Sequence, residues 1–304
     1  MARSATLVDQ WWGLALGKSM LEELPHRRPR GSVSEAEPQP RGWRVPRVVS
    51  VVVVAIAVAG FWCGAVVMAR VVVPLIRLTH RDPSEHRRVC QRVVSACFRI
   101  FLGGLDRLGV FRVRAEEAPV AGPCVLVANH PTLLDVVAIL AHVENTCCVV
   151  KAPLMNNPLV GPLLTACGHI SVAGGDAFGG MRVLEEASER LREGQRVLIF
   201  PEGTRSPPRD VRPFHRGAFE LARRTGFPLV PVFVRCDPPA LGKEGTIRRF
   251  PKKRPVLRLR FLPPLEPVDS SRRVCRDVME DFRHRIRQPA PPPHHGAADH
   301  VTAT

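Results

Sequence analysis

Between residues 124 and 234, short apolar runs alternate with amphipathic stretches, and this alternation restricts the chain more than any other feature. The runs "CVLVA" (124–128), "CCVVK" (147–151), "HISVA" (169–173), "RVLIF" (196–200) and "PLVPVFV" (228–234) have strand length and are rich in branched or aromatic side chains. Residues 131–143, 157–167, 176–193 and 215–225 between them carry helical spacing. Parallel strands need long crossovers, which helices supply, so the pattern predicts an α/β domain with a mainly parallel sheet flanked by helices. A strand at "VLRLRFL" (256–262) and a last helix with Val274, Val278, Phe282 and Ile286 on one face close the domain.

Upstream, Val48–Ala69 carries no charge and is bounded by Arg47 and Arg70. At about 1.5 Å per residue it is long enough for the roughly 30 Å of a hydrocarbon core, which predicts one transmembrane helix. A signal peptide would be shorter and would not follow such a stretch of Pro- and Arg-containing chain, while a buried core helix is the other reading. Arginines crowd both flanks, so the positive-inside rule assigns no orientation. Val89, Val93, Cys97, Phe101, Leu105 and Leu108 then repeat at three- and four-residue intervals, which predicts an amphipathic helix. The expected organisation is an N-terminal arm (1–45), partly disordered; a transmembrane anchor (46–78); a main domain (84–287); and a disordered tail (288–304).

The formal charge of +16, nearly all of it arginine, fits nucleic acid, an anionic membrane surface or a negatively charged substrate. The run "RRFPKKRPVLRLR" (248–260) has no acidic residue and few aromatics for stacking on single strands. Downstream of an apolar helix it reads as a contact for anionic headgroups, and no nucleic-acid partner is expected. Nine cysteines, an odd number without C-x-x-C spacing, read as reduced core thiols rather than a disulfide framework or metal site.

In a parallel sheet, functional residues gather just past the carboxyl ends of the strands. Three segments lie there. "NHPTLLD" (129–135) follows the first run; with Pro131 at the first helical position, His130 stands in the entering turn and Asp135 can support its ring. A carboxylate on one imidazole nitrogen fixes the tautomer and leaves the other as a general base able to activate a hydroxyl. "FPEGTRS" (200–206) ends a strand with Gly203, where backbone N–H groups can approach an anion, and with Arg205, a fork suited to phosphate; an exposed Glu202–Arg205 ion pair is the plainer alternative. Lys151 places a cation at the end of an apolar strand, where simple snorkelling would also account for it.

Together these segments resemble the glycerolipid acyltransferase family, whose bacterial type member is 1-acylglycerol-3-phosphate acyltransferase. Its N-H-x-x-x-x-D motif is met by Asn129, His130 and Asp135, and its F-P-E-G-T-R-S motif is complete from Phe200 to Ser206. Its K-x-x-L-x-x-x-P-x-x-G stretch is met by Lys151, Leu154, Pro158 and Gly161, and its "VPV" lies at 230–232. In the family's G-x-I-x-x-x-R motif, Gly168 and Ile170 match while Gly174 stands in place of the arginine.

The resemblance implies an enzyme that moves an acyl chain from acyl-CoA or acyl carrier protein to a lipid hydroxyl such as that of 1-acylglycerol-3-phosphate. His130 and Asp135 would be catalytic; Lys151, Glu202, Gly203, Thr204 and Arg205 would bind substrate. No cofactor, metal or covalent acyl-enzyme is implied, since no cysteine is tied to a motif histidine. It further implies a single-pass cell-membrane protein with the catalytic domain facing the cytoplasm. The chain also looks like family members encoded in aryl-polyene lipid gene clusters, which implies a specialised acceptor. From another class, a non-catalytic basic protein binding membrane or nucleic acid is the rival reading, and turnover separates the two.

Overall fold

The computed structural model describes residues 47–116, 121–172, 177–243, 250–266 and 270–288. The expected arm (1–45) and tail (288–304), the latter except for Gln288, lie outside these residues, as do Gly174 and positions 248 and 249 of the basic run. In chain order the elements are α1 (Arg47–Val67), a π-helical turn (Met68–Val72), α2 (Val73–Thr79), α3 (Pro83–Arg107), β1 (Arg112–Ala115), β2 (Val125–Ala128), α4 (Asp135–His142), β3 (Thr146–Lys151), α5 (Ala152–Met155), α6 (Gly161–Ala166), β4 (Ile170–Val172), α7 (Ala177–Arg192), β5 (Arg196–Ile199), α8 (Gly217–Thr225), β6 (Leu229–Asp237), β7 (Val256–Phe261) and α9 (Ser271–Arg287).

The strands form one sheet in the order β1-β7-β6-β2-β5-β3-β4. All neighbours run parallel except β6 and β7, which are antiparallel. Side chains alternate between the two faces as the period of a strand requires. Leu126, Leu198, Val230 and Val232 enter one core layer with Val137 and Ile139 of α4 and Leu102 and Leu105 of α3. Val125, Val127, Val197 and Phe233 enter the other with Leu191 of α7, Leu221 of α8 and Phe282 of α9. Burial on both faces explains why β2 reads as an unbroken apolar run, and each fully buried Leu contributes roughly 1.5–3 kcal/mol.

Several boundaries depart from the sequence reading for local reasons. The helix expected over 131–143 starts only at Asp135, because the Thr132 hydroxyl accepts from Leu134 N–H and turns 132–134 as a separate loop. The helix expected over 157–167 starts only at Gly161, as α6, after a loop that joins it to the short α5. There the Asn157 side chain accepts from Leu159 N–H, and a Cβ on Gly161 would lie 2.1 Å from the Met155 carbonyl oxygen, so only glycine closes this loop. Strand β1 was not anticipated; its four residues pair with β7, a partner far along the chain. The stripe read on α3 is rotated: Cys90, Val94, Leu102 and Leu105 are buried while Cys97 and Leu108 are exposed.

The apolar helical stretch continues past the charge-free run to about the end of the expected anchor. Val49–Thr79, 31 residues, is long and apolar enough to cross a membrane. One side packs on the domain: Val54 is buried in the core, and the Phe61 ring lies 6.0 Å from Phe98 and 5.3 Å from Phe101 of α3. Farther along, Met68, Ala69 and Ile76 pack with Leu163 and Cys167, and Arg70 donates to the Pro158 carbonyl at 3.0 Å. Val52, Ile56, Val67, Val71, Leu75 and Leu78 remain exposed.

Candidate active site

Because β2 lies beside β5 and β5 beside β3, the carboxyl ends of these three strands adjoin. Asn129 and His130 leave β2, Phe200–Ser206 leave β5, and Lys151 ends β3, so the topology gathers the three segments on one edge of the sheet.

The His130 Nδ1 atom lies 2.8 Å from Asp135 Oδ2. Asp135 is fully buried, and the His130 side chain is 18% exposed. The same carboxylate accepts from Thr132 N–H at 2.7 Å and from the Thr132 hydroxyl at 2.5 Å. Three donors thus satisfy a buried charge that would otherwise be costly. A carboxylate cannot donate, so Nδ1 carries the proton and Nε2 presents a lone pair. Phe200 packs on the imidazole at 4.5 Å between centroids and limits its rotation.

The main chain beneath the histidine is fixed just as firmly. The His130 N–H is shared between Glu202 Oε1 and Ser206 Oγ, each at 3.1 Å, and the His130 carbonyl accepts from Ser206 N–H at 2.7 Å. The Ser206 hydroxyl in turn donates to Glu202 Oε1, while Arg212 N–H donates to Oε2 at 2.8 Å. Burial pushes the Glu202 carboxyl above its ordinary value, against the pull of these bonds and of His130. At the end of β2, Asn129 Nδ2 donates to the Val234 carbonyl and Oδ1 accepts from Val234 N–H, which ties this strand end to β6.

Glu202 and Arg205 do not form the exposed ion pair considered from sequence. Both are buried, and Arg205 Nη1 donates to the carbonyls of Leu241 at 3.2 Å and Gly242 at 3.0 Å. Burial lowers the Arg205 pKa, and the Asp135 charge opposes that shift. Gly203 is exposed and adopts φ +63°, where a side chain would be strained; the His215 ring would lie 3.7 Å from an added Cβ, so conformation rather than space calls for glycine. The Thr204 hydroxyl is buried without a hydrogen-bond partner. Lys151 is exposed and directly precedes α5, with no side-chain hydrogen bond to the start of that helix.

Burial pushes the Cys236 thiol up to about 12, and the Asp135 charge adds to the shift, so it is no nucleophile at neutral pH. Among the described residues, no group of three His, Cys, Asp or Glu side chains is arranged to hold a metal ion. Sequence reasoning passed over Thr132 and Ser206 as functional residues, although both stand inside the quoted segments, at positions where a hydroxyl can reach a neighbouring carboxylate.

Residues 110–235 match the acyltransferase family model. That stretch holds His130, Asp135 and the 200–206 segment. Similar proteins include a chloroplastic 1-acyl-sn-glycerol-3-phosphate acyltransferase of Brassica napus, 33% identical over 36% of this chain and 32% of its own length. The human 1-acyl-sn-glycerol-3-phosphate acyltransferase beta is 35% identical over 37% of this chain and 41% of its own. A 1-acyl-sn-glycerol-3-phosphate acyltransferase of Saccharomyces cerevisiae is 27% identical over 78% of this chain and 73% of its own. The chain thus spans under half the length of the first two. The fold is similar to that of the 1-acyl-sn-glycerophosphate acyltransferase PlsC from Thermotoga maritima, with a TM-score of 0.64 at 22% identity over 79% of this chain and 96% of that one.

Proposed function

We propose that the protein transfers an acyl chain from a thioester donor, acyl-CoA or acyl carrier protein, to the hydroxyl of a membrane lipid such as 1-acylglycerol-3-phosphate. The observation that carries this reading is the bond between His130 Nδ1 and the buried Asp135, which leaves Nε2 as the base. Nε2 takes the hydroxyl proton as the acceptor oxygen attacks the thioester carbonyl carbon. The C–S bond then breaks, and the departing thiolate takes the proton back from the imidazolium, so one ester and one thiol result without an acyl-enzyme. The names of the similar proteins support the acceptor class.

The acceptor's headgroup meets Lys151 and the exposed backbone at Gly203, beside the buried Thr204 hydroxyl, which has no hydrogen-bond partner in the protein. The exposed apolar side of Val49–Thr79 seats the protein in the membrane, with the catalytic domain on the cytoplasmic side where thioester donors are made. Purified protein incubated with labelled acyl-CoA or acyl carrier protein and a panel of lysolipids should yield labelled 1,2-diacylglycerol-3-phosphate. Absence of turnover across donors and acceptors would overturn the reading. Protease shaving of intact spheroplasts should leave residues beyond 85 uncut.

A further inference from the structure

We propose that Arg114, Arg258 and Arg235, which form one row across β1, β7 and β6, dock an acidic acyl carrier protein and so select the thioester donor. The inference rests on the acyl-transfer reading above and names the partner that brings the acyl chain to His130.

The row follows from strand register. Arg114 of β1 pairs with Arg258 of β7, and Arg258 is opposed by Arg235 of β6, so all three point to one face of the sheet. Their neighbours Val113, Leu257, Leu259 and Val234 point to the other face, into the layer that holds α1 and α3. With strands about 4.8 Å apart, the three cations spread over roughly 10 Å. Like charges at directly opposed positions are destabilising, and this row is only partly neutralised. Glu116 lies 3.8 Å from Arg258 and 2.8 Å from Arg260. Arg235 Nη1 donates to the carbonyls of Arg285 and Gln288 at the end of α9. Burial lowers its pKa, the Asp237 charge opposes that shift, and the charges of Arg258 and Arg209 add to it. Arg114 is exposed and has no ion pair among the described residues.

The place of the row decides among anionic partners. The Asn129 side chain bonds the Val234 main chain, so Arg235 stands one residue from the point where β2 releases His130. Arg209, exposed just beyond the 200–206 segment, extends the cationic surface along the same edge. The apolar stretch Val49–Thr79 packs on the opposite face of the sheet, so a bilayer seated on its exposed side does not reach the arginines. Among the described residues no exposed aromatic accompanies the row for stacking on bases. A single phosphate would engage two neighbouring cations, whereas a row on an open strand surface is complementary to carboxylates spread over a protein. An acyl carrier protein is such a partner: it is acidic, and its acyl chain hangs as a thioester on a flexible arm that can extend past β6 to His130.

The experiment compares the full-length protein with Arg114→Gln, Arg258→Gln and the double variant, using one acceptor and one acyl chain presented either on acyl carrier protein or on coenzyme A. In the double variant kcat/KM for the carrier-protein donor should fall by about tenfold or more, through KM, while that for acyl-CoA stays within about twofold. Fluorescence anisotropy of labelled carrier protein should show a matching loss of affinity. Should the double variant fail to fold, Arg114→Glu, at an exposed position, decides on the same criteria. Equal losses with both donors, unchanged affinity for the carrier protein, or a loss confined to binding of phosphatidylglycerol vesicles would overturn the inference, the last by assigning the row to the membrane. Absence of turnover by the unmodified protein with either donor would instead strike the acyl-transfer reading, and the anisotropy, which needs no turnover, still decides on the surface.

Discussion

The Asn129 side chain and the Val234 main chain exchange two hydrogen bonds, of 2.8 and 2.7 Å, across 105 residues of sequence. Where β2 ends and the ladder to β6 would lapse, an amide continues it and fixes the point from which His130 emerges. Replacing Asn129 by Leu leaves both Val234 groups buried and unpaired, which should cost about 1–3 kcal/mol for each unsatisfied group. Urea denaturation is expected to show the lower midpoint, and Asn129→Asp, which sets a buried carboxylate oxygen against the Val234 carbonyl, should lower it as well.

Thr132 holds both oxygens of Asp135, its N–H sharing Oδ2 with His130 and its hydroxyl donating to Oδ1. Thr132→Val keeps the shape and removes the hydroxyl, so Asp135 Oδ1 loses a donor, Leu134 N–H loses its acceptor, and the dyad loosens. A net hydrogen bond to a charged group is worth about 1.5–3 kcal/mol, so kcat should fall roughly ten- to a hundredfold with KM little changed. Steady-state kinetics on one acceptor tests this.

The sheet was legible because strands buried on both faces leave continuous apolar runs, and the candidate site was legible because three such runs end in polar residues. What escaped depended on groups distant in sequence. Strand β1 owes its existence to β7, and the rotated stripe on α3 reflects that helix being covered by the sheet on one side and by Phe61 of α1 on another. The start of α4 moved because Thr132 competes for the backbone, a choice that periodicity cannot register. In the 200–206 segment, residue type suggested a phosphate fork at Arg205, but its burial and its carbonyl partners were invisible in the sequence.

His169 supplies a pH-dependent element away from the dyad. Its ring is buried, Nδ1 accepts from Cys148 N–H at 2.9 Å, and burial lowers its pKa from 6.5 to about 4. The unfolded chain therefore binds this proton at a higher pH than the folded one. The contribution is fully present above 6.5 and is lost as pH falls from 6.5 towards 4, by about 3 kcal/mol at most. Thermal melts should show stability falling through this window, and His169→Gln should flatten the slope while lowering stability at pH 7.

Lys151 is an exposed cation at the carboxyl end of β3, so the account places selectivity for an anionic headgroup there. In Lys151→Met, kcat/KM for a phosphorylated lysolipid should fall about ten- to a hundredfold relative to a neutral one, as expected for one charged contact. Equal losses on both acceptors would mean that Lys151 supports the loop rather than the headgroup.

The most direct measurement of the central claim is single-turnover acyl transfer by His130→Ala, with circular dichroism confirming that the variant is folded. Loss of the base should slow the chemical step by about 10²- to 10⁴-fold, with binding of the donor retained. Asp135→Asn should give a similar or smaller loss. Transfer by His130→Ala at a rate near that of the unmodified protein, with any acceptor, would contradict the account.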